Sequence, residues 1–330
     1  MSRFGFMETA SDVSNIIAGS WDWMKYASTI GQVPEYHKYL LGSIRLSSWL
    51  DKMSGANPIP IVVNLIQSCV AKYDAEIQAH GKTQRGDLLE YLREKTDAQG
   101  EKLPDTEVVH HLLANLLAGA DTTATGLRAV FYFLVKHPDV LAKLQGELDA
   151  ARAAGRISET ITYAQGTNLP YLMAVIKEAL RLHPVIGFPL ERIVPAGGAV
   201  VAGRFLPAGT IVGVNTWVLH RHSVFGAQPD VFLPERWLSA SPAQLRAMEA
   251  NWLVFGKGSR ECVGKYIALM DLVKCVGQVC RGWELEWVGA EVRDKEGKVV
   301  GRREEWSVGC HQFARQDGVV LKVTRREGKA

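Results

Sequence analysis

The sequence predicts a mainly helical chain with a small β region, an α+β fold. Three observations carry this expectation. Several stretches space their apolar residues at helical intervals and open on proline or acidic start signals. Residues 188–217 instead alternate Val, Ile and Phe with Gly and Pro, as in Gly198-Ala-Val-Val-Ala-Gly-Arg-Phe-Leu-Pro-Ala-Gly-Thr-Ile-Val, the pattern of short strands and a hairpin. The C-terminal part alternates again around a charged turn, Asp294-Lys-Glu-Gly-Lys298.

Taken in order, residues 12–50 have a helical pattern that includes Trp21, Trp23, Tyr26, Tyr36 and Tyr39. Pro58-Ile-Pro60 opens a second helix to about His80, and Gly86-Asp-Leu-Leu89 starts a short third. Pro104-Asp-Thr-Glu107 places acids at the positive end of a helix dipole. That helix runs to about Lys136, where His137-Pro138 ends it. About 30 residues at 1.5 Å each give roughly 45 Å. A helix so long, apolar on most faces, is expected to cross the middle of a domain. Helices follow over 138–153 and 169–182. After the strand region a glycine-rich loop leads to Gly264, and a helix begun at Val263 continues to about Arg281.

Composition narrows the function. Of the 330 residues, 47% are hydrophobic and 22% charged, with a formal net charge of +3. The charges are scattered, so neither nucleic acid nor an acidic partner is indicated. Five cysteines, odd in number and without a C-x-x-C pair, argue against a disulfide scaffold or zinc site and for a reducing, intracellular compartment. The most apolar stretches, 59–71 and 108–120, fall short of the ~20 residues a membrane helix needs.

The most specified segment is Phe255-Gly-Lys-Gly-Ser-Arg-Glu-Cys-Val-Gly264. Its glycines permit turns with positive φ. Cys262 is expected at the start of the apolar helix that follows, where backbone N–H groups favour a thiolate. A thiolate so held can ligate a haem iron and push electron density toward O–O cleavage. Arg260 is placed to pair with a haem propionate, and Phe255 to shield the sulfur from water.

This segment matches, without departure, the Phe-Gly-x-Gly-x-Arg-x-Cys-x-Gly signature of the cytochromes P450, and the chain resembles that family from about Phe4 to Lys322. Phe4-Gly-Phe-Met-Glu-Thr-Ala-Ser-Asp12 and Gly31-Gln-Val-Pro34 resemble the fungal, pisatin-demethylase-like members. The resemblance implies a single P450 domain over 1–330, binding haem b through Cys262, with Gly256 and Gly264 shaping the loop. It also implies that Glu178 and Arg181 of Glu178-Ala-Leu-Arg181 join Arg236 of Pro234-Glu-Arg236 in a buried, structural charge network. Thr122, in Ala118-Gly-Ala-Asp-Thr-Thr123, would be the hydroxyl beside bound dioxygen, and Asp121 the proton-relay acid. Arg192 is a second candidate for a propionate. Ile186, Gly187 and Phe188 resemble a substrate-contacting turn.

The activity so implied is monooxygenation. One atom of O2 enters an apolar organic substrate in fungal secondary metabolism. Electrons come from an NADPH-dependent cytochrome P450 reductase, since no dinucleotide-binding context surrounds the glycines here. The chain is expected to be a monomer whose full-length relatives are anchored to the endoplasmic reticulum membrane. The resemblance also implies that the family's N-terminal third, with that anchor, the first helices and the first sheet strands, is missing from this sequence. Two alternatives stay open: a truncated, non-catalytic remnant, and a P450-like isomerase or dehydratase that needs no reductase.

Overall fold

A computed structural model describes residues 12, 16–40, 42–43, 46, 59–81, 85–96, 99–294 and 297–326. The chain folds as two compact units, residues 1–120 and 121–330. Apart from Asp12, the 4–12 motif lies outside the described residues, as does much of 41–58.

The first unit contains α1 (Ile16–Ile30), a 3-10 turn (Pro34–Tyr39), α2 (Ile59–His80) and α3 (Leu88–Glu94). It also holds the start of α4 (Asp105–Lys136). Asp87 caps α3 by accepting from the Glu90 N–H at 3.1 Å. Val62, Ile66, Val70 and Tyr73, spaced along one face of α2, pack with Leu89, Leu92, Val108 and Val109. Arg93 pairs with Asp74 and, at 2.6 Å, with Asp105.

The second unit takes over α4 at Asp121 and adds α5 (Pro138–Ala153), α6 (Tyr163–Thr167) and α7 (Pro170–Leu182). Proline in the first turn opens both α5 and α7, where its missing N–H has no helical partner to lose. Two short antiparallel pairs follow: β1 (Leu190–Ile193) with β4 (Ile211–Val214), and the hairpin β2 (Ala199–Val201) with β3 (Arg204–Leu206). Ala202 and Gly203 turn that hairpin with φ of 50° and 77°, the positive pair that suits strand twist.

Between β4 and Gly264 the expected loop contains three further helices: α8 (Thr216–Leu219), α9 (Arg236–Ser239) and α10 (Pro242–Asn251). α10 has a start signal that a reading centred on glycines passes over. Ser241 accepts from the Gln244 N–H at 3.2 Å, and Pro242 is the first helical residue. α11 (Lys265–Gly282) leads into β5 (Trp283–Arg293), which lies between β6 (Val299–Arg303) and β9 (Val319–Arg325). β7 (Ser307–His311) and β8 (Phe313–Asp317) form a separate hairpin.

The core of this unit is helical. Leu134 of α4, Leu144 and Leu148 of α5, Leu172 and Ile176 of α7, and Val273 and Val276 of α11 are all fully buried. α6 crosses α11 closely, and a Cβ at Gly166 would stand 2.2 Å from Val273 Cγ1. α4 joins this core through its C-terminal half, and Ala118, Gly119 and Ala120 at its middle are exposed. The fold is therefore the α+β class expected: helices with small antiparallel sheets. Among the described residues, no helix is long and apolar enough to cross a membrane.

Candidate active site

The cysteine loop closes on itself. Gly256 and Gly258 have φ of 71° and 75°, a region L side chains rarely enter. These turns bring the Cys262 N–H to the Phe255 carbonyl at 2.8 Å, and the Gly256 N–H to the Leu253 carbonyl at 3.0 Å. Cys262 ends the loop with its side chain exposed. It does not start the helix. α11 begins at Lys265 with Gly264 as N-cap: the Gly264 carbonyl accepts from the Ala268 N–H at 2.9 Å, while the Cys262 carbonyl accepts a tighter turn bond from the Lys265 N–H at 3.3 Å.

Two side chains from elsewhere in the sequence, and Trp252 just before the loop, anchor it. Arg192 of β1 donates to the Lys257 carbonyl at 3.0 Å and to the Glu191 carbonyl at 2.7 Å. His220, fully buried, accepts from the Leu253 N–H at 2.9 Å. Trp252 Nε1 donates to the Lys177 carbonyl of α7 at 3.1 Å, and its ring meets Phe255 edge-on at 5.8 Å. No local pattern announces any of them. Each depends on residues tens of positions apart.

Glu178, Arg181 and Arg236 come together, the first two at 0% exposure and the third at 8%. Arg181 Nε and Nη2 donate to the two Glu178 oxygens at 2.9 and 2.8 Å, and Arg236 Nε donates to Glu178 Oε1 at 2.8 Å. The Leu233 N–H and Trp237 Nε1 complete the carboxylate's shell at 3.0 and 2.9 Å. The remaining guanidinium N–H groups go to backbone carbonyls. Arg181 reaches those of His220 and Pro229 at 2.5 Å and Val231 at 3.3 Å. Arg236 reaches those of Phe225, Gln228 and Val231. Arg181 thus engages all five of its N–H groups and Arg236 four, and the buried carboxylate accepts from five donors.

Asp121 and Thr122 lie half-buried on α4. Burial pushes the Asp121 carboxyl above its ordinary value, while Arg315 and Arg128 oppose the shift. Those two arginines line a cavity of about 480 Å³ with Leu127, Phe131 and Gln316. The turn formed by Ile186, Gly187 and Phe188 is also half-buried, and it is tied to the β7–β8 hairpin. Gly187 N–H donates to the Gln312 carbonyl at 2.9 Å. A Cβ at Gly187 would stand 2.2 Å from Cys310 Sγ, so a larger residue there would have to displace that thiol.

A flat macrocycle with anionic edges needs a soft axial donor, an apolar surface and cations. The loop has these features. Cys262 presents its thiol, and Val263, Tyr266 and Ile267 beside it are exposed at 99%, 71% and 61%. Arg260 is an exposed cation two residues before the cysteine. Gly264 lies beside the sulfur, and a Cβ there would be in ordinary contact with Sγ at 3.9 Å. The residues present fit haem. Among the described residues no cluster of His, Cys, Asp and Glu is placed to hold a metal ion by itself.

Comparison with known proteins agrees with this geometry. The cytochrome P450 family model matches residues 39–305. A cytochrome P450 monooxygenase of Aspergillus terreus is 35% identical over 86% of this chain and 57% of its own length. Cytochrome P450 monooxygenase cicH of Emericella nidulans is 35% identical over 94% of this chain and 60% of its own length. A pisatin demethylase of Fusarium vanettenii is 36% identical, covering 86% of this chain and 54% of the relative. The chain therefore spans between half and two-thirds of the length of these relatives. With the family match crossing most of its length, the chain belongs to the cytochrome P450 family.

Proposed function

We propose that this chain carries the haem-thiolate half of a monooxygenase. The observation that carries the reading is the cysteine loop: an exposed thiol at the end of a self-closed turn, among exposed apolar side chains, in a chain of this family. The family match extends over both compact units, which supports assigning 1–330 to one P450 domain.

In this reading Cys262 holds haem b as a thiolate, Arg260 and Arg192 pair with its propionates, and Phe255 keeps water from the sulfur. Gly256 and Gly264 give the loop its path. Bound haem would supply reductive activation of O2, one atom going to an apolar substrate and the other to water, with two electrons from NADPH through a reductase and two protons from solvent. Asp121 relays those protons. A carboxyl raised by burial holds its proton closer to neutral pH, which suits a relay acid. Thr122 would supply the hydroxyl that stabilises bound dioxygen. Ile186, Gly187 and Phe188 contact the substrate. The fungal relatives support a role in secondary metabolism; in the same reading the reductase lies at the endoplasmic reticulum membrane.

The test is the carbon-monoxide spectrum of the reduced protein after haem loading. Thiolate ligation gives a strongly red-shifted Soret band, and Cys262→Ala is expected to abolish it. A band that survives in C262A would refute the ligand assignment. A wild-type chain that takes up no haem would refute the reading for this chain.

A further inference from the structure

Three hydrogen bonds join His220 to Arg181 and Leu253. Its Nδ1 lies 3.1 Å from the Arg181 carbonyl, its Nε2 2.9 Å from the Leu253 nitrogen, and its own carbonyl accepts from Arg181 Nη1 at 2.5 Å. The Leu253 N–H can only donate, so Nε2 must present its lone pair, and Nδ1 must carry the proton that goes to Arg181. The ring is fully buried, with Phe225 edge-on at 5.7 Å. It thus has one tautomer and one orientation.

From Leu253 the hydrogen bonds continue toward the cysteine. The Leu253 carbonyl accepts from Gly256, and the Phe255 carbonyl accepts from Cys262. We infer that His220 is a positioning residue for Cys262, transmitting the fixed geometry of the Glu178–Arg181–Arg236 network to the cysteine loop through the Leu253 N–H. The inference rests on the proposal that Cys262 ligates haem. A buried histidine that merely fills space would make the same contacts with Phe225, so the test must separate its two nitrogens.

Two substitutions do so. In His220→Gln the amide end lies where Nε2 was and can accept from Leu253, while the bond to Arg181 is lost. In His220→Asn the amide lies where Nδ1 was and keeps Arg181, while Leu253 is left without a partner. Amide hydrogen exchange and the carbon-monoxide spectrum are read together on the haem-loaded full chain. H220Q is expected to keep both slow exchange at Leu253 and the thiolate-type band. H220N is expected to exchange Leu253 about tenfold faster, the loss of one hydrogen bond, and to shift most of the band to its thiolate-free position, with the 170–182 helix still protected. Equal behaviour of the two variants in a folded chain overturns the inference. Should H220N fail to fold, H220Q decides alone: loss of Leu253 protection or of the band, with the 170–182 helix intact, overturns it, and retention of both supports it. A wild-type chain without haem would refute the ligand proposal instead, and exchange at Leu253 would still decide the role of His220.

Discussion

Glu178→Gln is the most informative perturbation of the fold. The carboxylate accepts from Arg181 Nε and Nη2, Arg236 Nε, the Leu233 N–H and Trp237 Nε1. An amide of the same shape must put its NH2 on one side. At the Oε2 position it would face the N–H groups of Arg181 and Trp237; at the Oε1 position it would face those of Arg181, Arg236 and Leu233. At least two hydrogen bonds become donor against donor, and two buried cations lose their counter-charge. Breaking a buried pair from one side costs about 3–5 kcal/mol. Backbone carbonyls still solvate both guanidiniums, which places E178Q near the lower end, about 3 kcal/mol. Urea unfolding followed by tryptophan fluorescence would show this as a lower midpoint at unchanged slope. A loss below about 1 kcal/mol, the range of an exposed pair, would refute the argument that the network is dry and its carboxylate fully engaged.

Two further outcomes follow from burial and sterics. Burial pushes His183 and His220 down to about 4 each. The unfolded chain therefore binds protons near pH 6.5 that the folded chain refuses, so stability is full above that pH and falls as pH drops toward 4, by on the order of 3 kcal/mol per histidine. Urea midpoints measured from pH 7 to pH 4.5 should decline, less steeply in H220Q; a flat profile would contradict the burial. Gly187→Ala places its Cβ 2.2 Å from Cys310 Sγ but 3.6 Å from Cys310 Cβ. It should cost about 1–3 kcal/mol alone, and Cys310→Ala should relieve most of that in a double-mutant cycle; additive losses would exclude the clash.

Much of the helical frame was legible because its punctuation is local. Asp105, Pro138 and Pro170 begin their helices within a residue of where prolines and acids placed them. The β2–β3 hairpin was visible in its glycines. What the sequence hid is of two kinds. Where one signal dominated, others were overlooked: the glycines of 255–264 drew attention from Ser241-Pro242, and the apolar run after Cys262 suggested a helix two residues too early. The other kind is contact at long range. Arg192 on Lys257, His220 on Leu253 and Cys310 against Gly187 join residues 33 to 123 positions apart with no periodicity to expose them. The charged residues of the network were recognisable as a motif. Its oxygen partners were not, because five of them are main-chain atoms without side-chain identity.

That last feature bears on how the chain can change. Arg181 and Arg236 grip the carbonyls of His220, Phe225, Gln228, Pro229 and Val231, a stretch with little regular structure. Guanidinium groups that bind peptide oxygens impose a route on the backbone while remaining indifferent to most side chains it carries. Exposed positions along 226–230 can therefore drift in sequence and still trace the same course. The two arginines act as a template for that segment, so its conformation is encoded mainly outside it.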